Sequence, residues 1–187
     1  MTEELARAED AVKAAQEGKR VVVVSGGDPG VYGMAGPLLE IASGEGVELN
    51  VVPGVTAATA AAACLGAPLT HDFAVISLSD RLTAWEVICK RIEAAASSDF
   101  VIVLYNPASR GRTRQIKETQ SMILKYRSPE TPVGVVKGAY RPDQAVIISD
   151  LGHFTETLIE MNTTVIVGNN QTKVVAGKIV TPRGYPL

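Results

Sequence analysis

The residues Ser25-Gly26-Gly27-Asp28-Pro29-Gly30-Val31-Tyr32-Gly33 combine backbone freedom with a single carboxylate, and they follow directly on the β-branched run Val21 to Val24. In open α/β sheets ligands gather beyond the carboxyl ends of strands, where glycines allow a backbone to approach them closely. A plain Gly/Pro turn is the competing reading. The loop is not a phosphate loop of the Gly-x-x-x-x-Gly-Lys-Ser/Thr kind, because no lysine follows, and it lacks the Gly-x-Gly-x-x-Gly dinucleotide spacing. What it can hold is a nucleotide-like ligand met by backbone groups.

Three further loops have the same character. Pro53-Gly54-Val55-Thr56-Ala57-Ala58 follows another apolar run, and Thr56 stands where it can cap the next helix. Capping alone and ligand contact are equally good readings of it. Asn106-Pro107 follows Val101 to Tyr105, and Lys137-Gly138-Ala139 follows Val133 to Val136. Four loops at strand ends can line one cleft.

Other chemistry finds little support. His71 and His153 are the only histidines, far apart in sequence, with no obvious carboxylate or cysteine neighbour, so structural or surface roles are expected. Cys64 and Cys89 lack metal-ligand spacing and read as buried small hydrophobes, and no protein-bound metal is expected. Asp28 is the best-placed acid; bracing its loop, capping the next helix and positioning a ligand loop are all open to it. Arg110, Arg112, Arg114 and Lys117 form a basic cluster whose default reading is a solvated face.

The elements that must hold these loops alternate. A helix with Leu5, Ala8, Val12 and Ala15 on one face precedes a strand at Val21 to Val24. Then come a helix near Met34 to Ala42, a strand at Leu49 to Val52 and a small-residue helix from Thr56 to Leu65, ended by Gly66. After a junction near Pro68 to Asp72 the pattern predicts a strand at Phe73 to Leu78. Thr83-Ala84-Trp85-Glu86 reads as a capping box opening a helix, and Val101 to Leu104 as the next strand. A helix from Thr113 to Lys125 and strands at Val133 to Val136, Ala145 to Ile148, Thr164 to Val167 and Val174 to Val180 complete the chain. The expected architecture is α/β in two domains: residues 1–69, mainly parallel, and residues 70–187, built on a mixed sheet.

Composition narrows the function further. With 187 residues, 46% of them hydrophobic, and no apolar run near the ~20 needed to span a bilayer, no membrane span is expected. A formal charge of -2 argues against nucleic acid as the main partner. Met1-Thr2-Glu3-Glu4 lacks the basic start and apolar stretch of a secretory signal, so the cytoplasm is the expected location.

Taken together, Gly27-Asp28-Pro29-Gly30-Val31-Tyr32-Gly33-Met34-Ala35-Gly36, Pro53-Gly54-Val55-Thr56-Ala57, Leu104-Tyr105-Asn106-Pro107 and Thr163-Thr164-Val165-Ile166-Val167-Gly168-Asn169 resemble the tetrapyrrole methylase family. Nearest is its precorrin-3B C17-methyltransferase branch, cobalt-precorrin counterpart included. The resemblance runs from Thr2 to Tyr185, with the motifs in family order. It implies the two-domain tetrapyrrole methylase fold, S-adenosylmethionine bound in the cleft between the domains, and a homodimer. By resemblance, the cofactor contacts are Gly27, Asp28, Val31, Thr56 and Ala57 from the first domain and Asn106 and Gly138 from the second.

The resemblance also implies the activity: methyl transfer to C17 of precorrin-3B or its cobalt form, coupled to ring contraction, in cobalamin biosynthesis. A methylase for another corrin position, and a cofactor- or tetrapyrrole-binding module without turnover, are the alternatives. In-line displacement at a sulfonium needs alignment and exclusion of water rather than a nucleophilic side chain, so no catalytic residue is assigned. A macrocycle bearing many carboxylates gives Arg110, Arg112 and Arg114 a substrate-binding role. Family members begin with a strand ending in a Gly-Pro-Gly loop that faces the tetrapyrrole. This sequence opens on a helix, so a truncated first domain that keeps cofactor recognition and loses part of substrate placement is expected.

Overall fold

The computed structural model describes residues 2–109 and 111–186, the Thr2 side chain excepted. The chain divides into two compact units, Met1–Ala57 and Ala58–Leu187. The division falls ahead of the Pro68 to Asp72 junction because the helix between them buries Ala58, Ala61, Ala62 and Leu65 against the sheet of the second unit.

In the first unit, α1 (Thr2–Gln16) lies along α2 (Ala35–Ala42). Ala8 and Val12 from α1, and Ala35, Leu38 and Ala42 from α2, are its buried apolar residues. Gln16 ties the end of α1 to the loop after α2 by donating to Glu45 Oε2 at 2.6 Å. Residues 21–25 and 47–53 carry no regular secondary structure, so the strands expected at Val21 to Val24 and Leu49 to Val52 are not formed as strands. Among the described residues neither run has a ladder partner. A β-branched sequence favours an extended backbone, but a ladder also requires a neighbouring edge. Between the two runs lies instead a cleft of about 610 Å³, lined by both of them and by residues of α1 and α2.

The second unit carries a five-stranded sheet in the order β2-β3-β6-β4-β5. Its strands are β2 (Phe73–Ser77), β3 (Val101–Tyr105), β4 (Pro132–Lys137), β5 (Ala145–Asp150) and β6 (Thr163–Val167). The β2–β3 pair is parallel, and β6 runs antiparallel to both β3 and β4. Hence β2, β3 and β4 all point the same way, and their C-terminal loops emerge on one edge. Central β3 is buried on both faces, which explains its unbroken apolar run. Ile102 and Leu104 belong to the core that includes Ile88 and Ile92 of α4 (Trp85–Ser97) and Ile116 and Ile123 of α5 (Arg114–Ile123). Val101 and Val103 meet α3 (Ala57–Leu65) on the other side. The helix approaches so closely that a Cβ on Gly134 of β4 would lie 2.2 Å from Leu65 Cδ1.

A second, small sheet has the order β1-β8-β7. β1 (Gly66–Ala67) pairs in parallel with β8 (Lys178–Val180), which pairs antiparallel with β7 (Lys173–Val175). The single strand expected at Val174 to Val180 is therefore a hairpin, turned by Ala176 and Gly177 with φ of 49° and 73°. The expected capping box is not made: Ala84 occupies the N-cap of α4, and the helix end has no side-chain cap. Cys64 and Cys89 are free and half-buried at the rims of the two cores rather than fully inside.

Candidate functional site

In the first unit the two glycine loops interlock. Gly54 N–H donates to Asp28 Oδ2 at 2.9 Å, and Gly30 N–H donates to Asp28 Oδ1 at 2.8 Å. Each carboxylate oxygen is thus taken by a backbone donor, one within its own loop and one in the other. These hydrogen bonds, the one from Gly54 first, hold the Asp28 carboxyl below its ordinary range. Close approach dictates the residue at position 54, because a Cβ there would lie 2.2 Å from the Gly27 carbonyl oxygen. Conformation dictates Gly27, whose φ is +77°. Val31 follows, its N–H donating to the Asp28 carbonyl at 3.2 Å. Thr56 precedes the first residue of α3, Ala57, and a Cβ on Gly27 would be 3.9 Å from Thr56 Cα. Gly27, Asp28, Val31, Thr56 and Ala57, widely spaced in sequence, share one neighbourhood.

In the second unit Asn106 and Gly138 stand at the C-terminal ends of β3 and β4, on the same sheet edge. Asn106 adopts φ 51°, a conformation asparagine tolerates, and its Nδ2 donates to Ser77 Oγ at the end of β2, 2.9 Å away. Gly138 has φ +53°, and a Cβ there would lie 2.7 Å from Asp143 Oδ1. The same edge receives the start of α3, where Ala58 N–H donates to the Tyr105 hydroxyl at 2.6 Å. Lys137 is ion-paired with Glu160, and that hydrogen bond holds its ammonium above the ordinary lysine range, so it is no neutral base.

The basic cluster is dispersed. Arg110 lies outside the described residues. Arg112 donates to the Asn106 carbonyl at 3.0 Å and faces Asp80 at 3.5 Å, with a side chain 12% exposed, so it braces the β3 loop. Arg114 lies on the open face of α5, paired with Glu118 at 3.2 Å. The histidines are apart from these loops. Contrary to the sequence reading, His153 does have a carboxylate neighbour: its Nδ1 is 2.7 Å from Asp150 Oδ1 in an exposed pair. Among the described residues no three His, Cys, Asp or Glu side chains gather where a metal ion could be held.

Sequence reasoning missed Ser77, Tyr105 and Gly54 as partners in these loops. Gly54 carried a signal, a glycine directly after a proline at a strand end. Tyr105 carried a weaker one, a polar tip closing an apolar run. Nothing local marks Ser77.

The paired glycine loops of the first unit and the strand-end edge of the second are the parts of this chain open to a ligand, and comparison with known proteins gives the family. The family model described as Tetrapyrrole (Corrin/Porphyrin) Methylases matches residues 2–155, and the chain belongs to that family. It is 53% identical over 191 residues to a cobalt-factor III methyltransferase of Priestia megaterium, a match covering 99% of this chain and 35% of that protein. It is 48% identical over 189 residues to a probable cobalt-factor III C(17)-methyltransferase of Salmonella typhimurium, covering 100% of this chain and 78% of that one. The chain therefore spans about a third of the first relative and over three quarters of the second. Among solved structures, that of the methyltransferase CobJ matches with a TM-score of 0.90 and 41% identity, over 96% of this chain and 77% of CobJ. A uroporphyrin-III C-methyl transferase from Thermus thermophilus, complexed with S-adenyl homocysteine, shares the fold at a TM-score of 0.66 and 23% identity, over 88% of this chain and 73% of that one.

Proposed function

We propose that this chain is an S-adenosylmethionine-binding methyltransferase acting at C17 of a precorrin-3B-type macrocycle, the cobalt form above all, with ring contraction, in cobalamin biosynthesis. The names of the relatives from Priestia and Salmonella favour the cobalt form. A homodimer in the cytoplasm completes the proposal. The cofactor contacts are proposed as Gly27, Asp28, Val31, Thr56 and Ala57, with Asn106 and Gly138.

The observation that carries the reading is the Asp28 staple. A carboxylate spent on two backbone N–H groups is no general base; its effect is to fix two loops whose glycines leave main-chain groups open to a ligand. That suits S-adenosylmethionine, whose amino-acid end, ribose hydroxyls and adenine can each pair with main-chain donors and acceptors. When bound, the cofactor supplies the methyl group together with its own thioether leaving group. The protein's task is then alignment and exclusion of water. Asn106, its amide committed to Ser77, offers backbone groups from a fixed turn. Arg112 steadies that turn, and of the two arginines described in the basic cluster Arg114 has the more open guanidinium for a macrocycle carboxylate.

The test is calorimetry with S-adenosylhomocysteine followed by a labelled-methyl assay on cobalt-factor III and on precorrin-3B. Binding and transfer to the cobalt form are expected. No heat and no thermal stabilisation at millimolar ligand would remove the cofactor assignment, since a ligand of the native state stabilises it by mass action. Binding without transfer to either macrocycle would make the chain a binding module.

A further inference from the structure

We propose, resting on the reading of Asn106 as a cofactor contact, that Asp80 is a positioning residue for the Asn106 turn: it acts through Arg112, whose guanidinium it holds against the Asn106 carbonyl. All of these residues lie in the second unit.

The turn after β3 has to be held from outside itself. Asn106 has φ 51°, a left-handed backbone that a residue other than glycine keeps only where its surroundings over-determine it. The end of β2 supplies part of that constraint. Leu78 N–H donates to the Tyr105 carbonyl at 2.9 Å, and Ser77 Oγ accepts from Asn106 Nδ2 at 2.9 Å. These bonds fix the backbone before the turn and the asparagine side chain. The Asn106 carbonyl, which sets the direction in which the chain leaves, is held by Arg112 Nη2 at 3.0 Å. Arg112 also exchanges two backbone hydrogen bonds with Ser109, each of 3.0 Å. Its backbone thus closes the loop, and its side chain ties the loop's end to its beginning.

Asp80 decides whether that side chain stays. The Arg112 side chain is only 12% exposed, and a cation so far from water requires a counter-charge. Asp80 Oδ1, 3.5 Å from Nη1, is the carboxylate that pairs with it among the described residues. The other oxygen, Oδ2, accepts from Gln115 Nε2 at 3.0 Å, so the first turn of α5 orients the carboxylate toward the arginine. Arg112 Nε is buried without a hydrogen-bond partner among the described residues, so the guanidinium is held at its tip alone. Without the Asp80 charge, the long flexible stem carries the guanidinium out to water and the Asn106 carbonyl is released. Asp80 itself, with a side chain 38% exposed, can be replaced without opening a cavity.

The experiment is a double-mutant cycle on the 187-residue chain: Asp80→Asn, Arg112→Met and the two combined. Each protein is read by calorimetry with S-adenosylhomocysteine, by the carbonyl carbon NMR shift of Asn106 and by urea unfolding. Asp80→Asn is expected to weaken binding about fivefold, because a turn no longer held must be ordered by the cofactor as it binds. Arg112→Met is expected to do the same, and the double variant to bind no more weakly than Arg112→Met, since Asp80 then has nothing to act through. The Asn106 carbonyl shift is expected to move in the same direction in all three, which a loss of stability alone does not produce. A parent that binds no S-adenosylhomocysteine overturns the cofactor reading and this inference with it. A binding parent whose folded Asp80→Asn variant binds equally well overturns the inference alone, and so do losses that add in the double variant. Salt-sensitive loss of cobalt-factor III binding in Arg112→Met, with S-adenosylhomocysteine affinity unchanged, also overturns it, because Arg112 is then a carboxylate ligand. Should Asp80→Asn fail to fold, Arg112→Lys takes its place: one ammonium cannot span both Asp80 and the Asn106 carbonyl. That variant is expected to bind as weakly as Arg112→Met, and parental affinity overturns the inference.

Discussion

Replacing Gly54 by alanine isolates the close approach that joins the two glycine loops proposed to hold the cofactor. The new Cβ would lie 2.2 Å from the Gly27 carbonyl oxygen, 1.2 Å short of the 3.4 Å at which ordinary contact begins. Gly54 has no positive φ, so the methyl itself strains nothing locally; the whole conflict is with the opposing loop. Because the opposing atom is main chain, no rotamer change relieves it, and the loops must separate by about 1 Å. The Gly54 N–H to Asp28 bond at 2.9 Å cannot survive that shift with good geometry.

Two measurements then move together. S-adenosylhomocysteine binding by calorimetry is expected to weaken at least tenfold, about 1.4 kcal/mol, because both walls of the loop pair are displaced. The Asp28 carboxyl, followed by carbon NMR, is expected to titrate closer to its ordinary range, since the largest cause of its lowered pKa is the lost bond. The sign for stability follows. A carboxyl depressed in the folded state contributes stability above its unfolded pKa and loses it as pH falls through the folded one, so the variant's acid-side stability depends less on pH. Gly36→Ala is the control, because nothing lies within 4 Å of a Cβ there. A Gly54→Ala protein with parental circular dichroism, affinity within about twofold of the parent and an unmoved Asp28 titration would show that the loops have slack and that the staple positions nothing.

Gly134→Ala places a methyl against the fully buried Leu65 and is expected to cost about 1–3 kcal/mol in urea unfolding. Adding Leu65→Ala vacates that space, so the double variant is expected to lose less than the sum of the two singles, and strict additivity would refute the contact. His153 is raised by its hydrogen bond to Asp150, so the pair stabilises below the unfolded histidine pKa and loses that contribution as pH rises through the folded one. Asp150→Asn is expected to bring the His153 titration in proton NMR down toward the ordinary value and to flatten stability across that window.

What was legible in the sequence was whatever periodicity reports. The apolar run Val101 to Leu104 marked a strand, and Ile116 and Ile123 marked the inner face of α5, whereas Leu124, expected beside them, is 37% exposed. Contacts across sequence distance were not legible. Nothing near Arg127 in the sequence singles it out, yet its guanidinium is buried and donates to the carbonyls of Gly168 and Phe100. The Asp28 to Gly54 bond spans 26 residues, and Asn106 to Ser77 spans 29. Gly-Asp-Pro could be singled out as a loop, but which backbone its carboxylate would hold could not be read from its own neighbours.

The first unit shows the limit of periodicity most sharply, because Val21 to Val24 satisfied every sequence criterion for a strand and still made no ladder among the described residues. Hydrophobic pattern reports which way side chains face, and there the alternation holds: Val21 and Val23 are 39% and 38% exposed, and Val22 and Val24 are 84% and 88% exposed. Pairing is a separate property belonging to two segments at once, so one run cannot encode it. For β3 and β6 pattern and pairing coincide, and a strand results. The two glycine loops follow residues 21–25 and 47–53, at Gly27 and at Gly54, and their mutual geometry is held by local devices: the Asp28 carboxylate and the Gly27 to Gly54 approach.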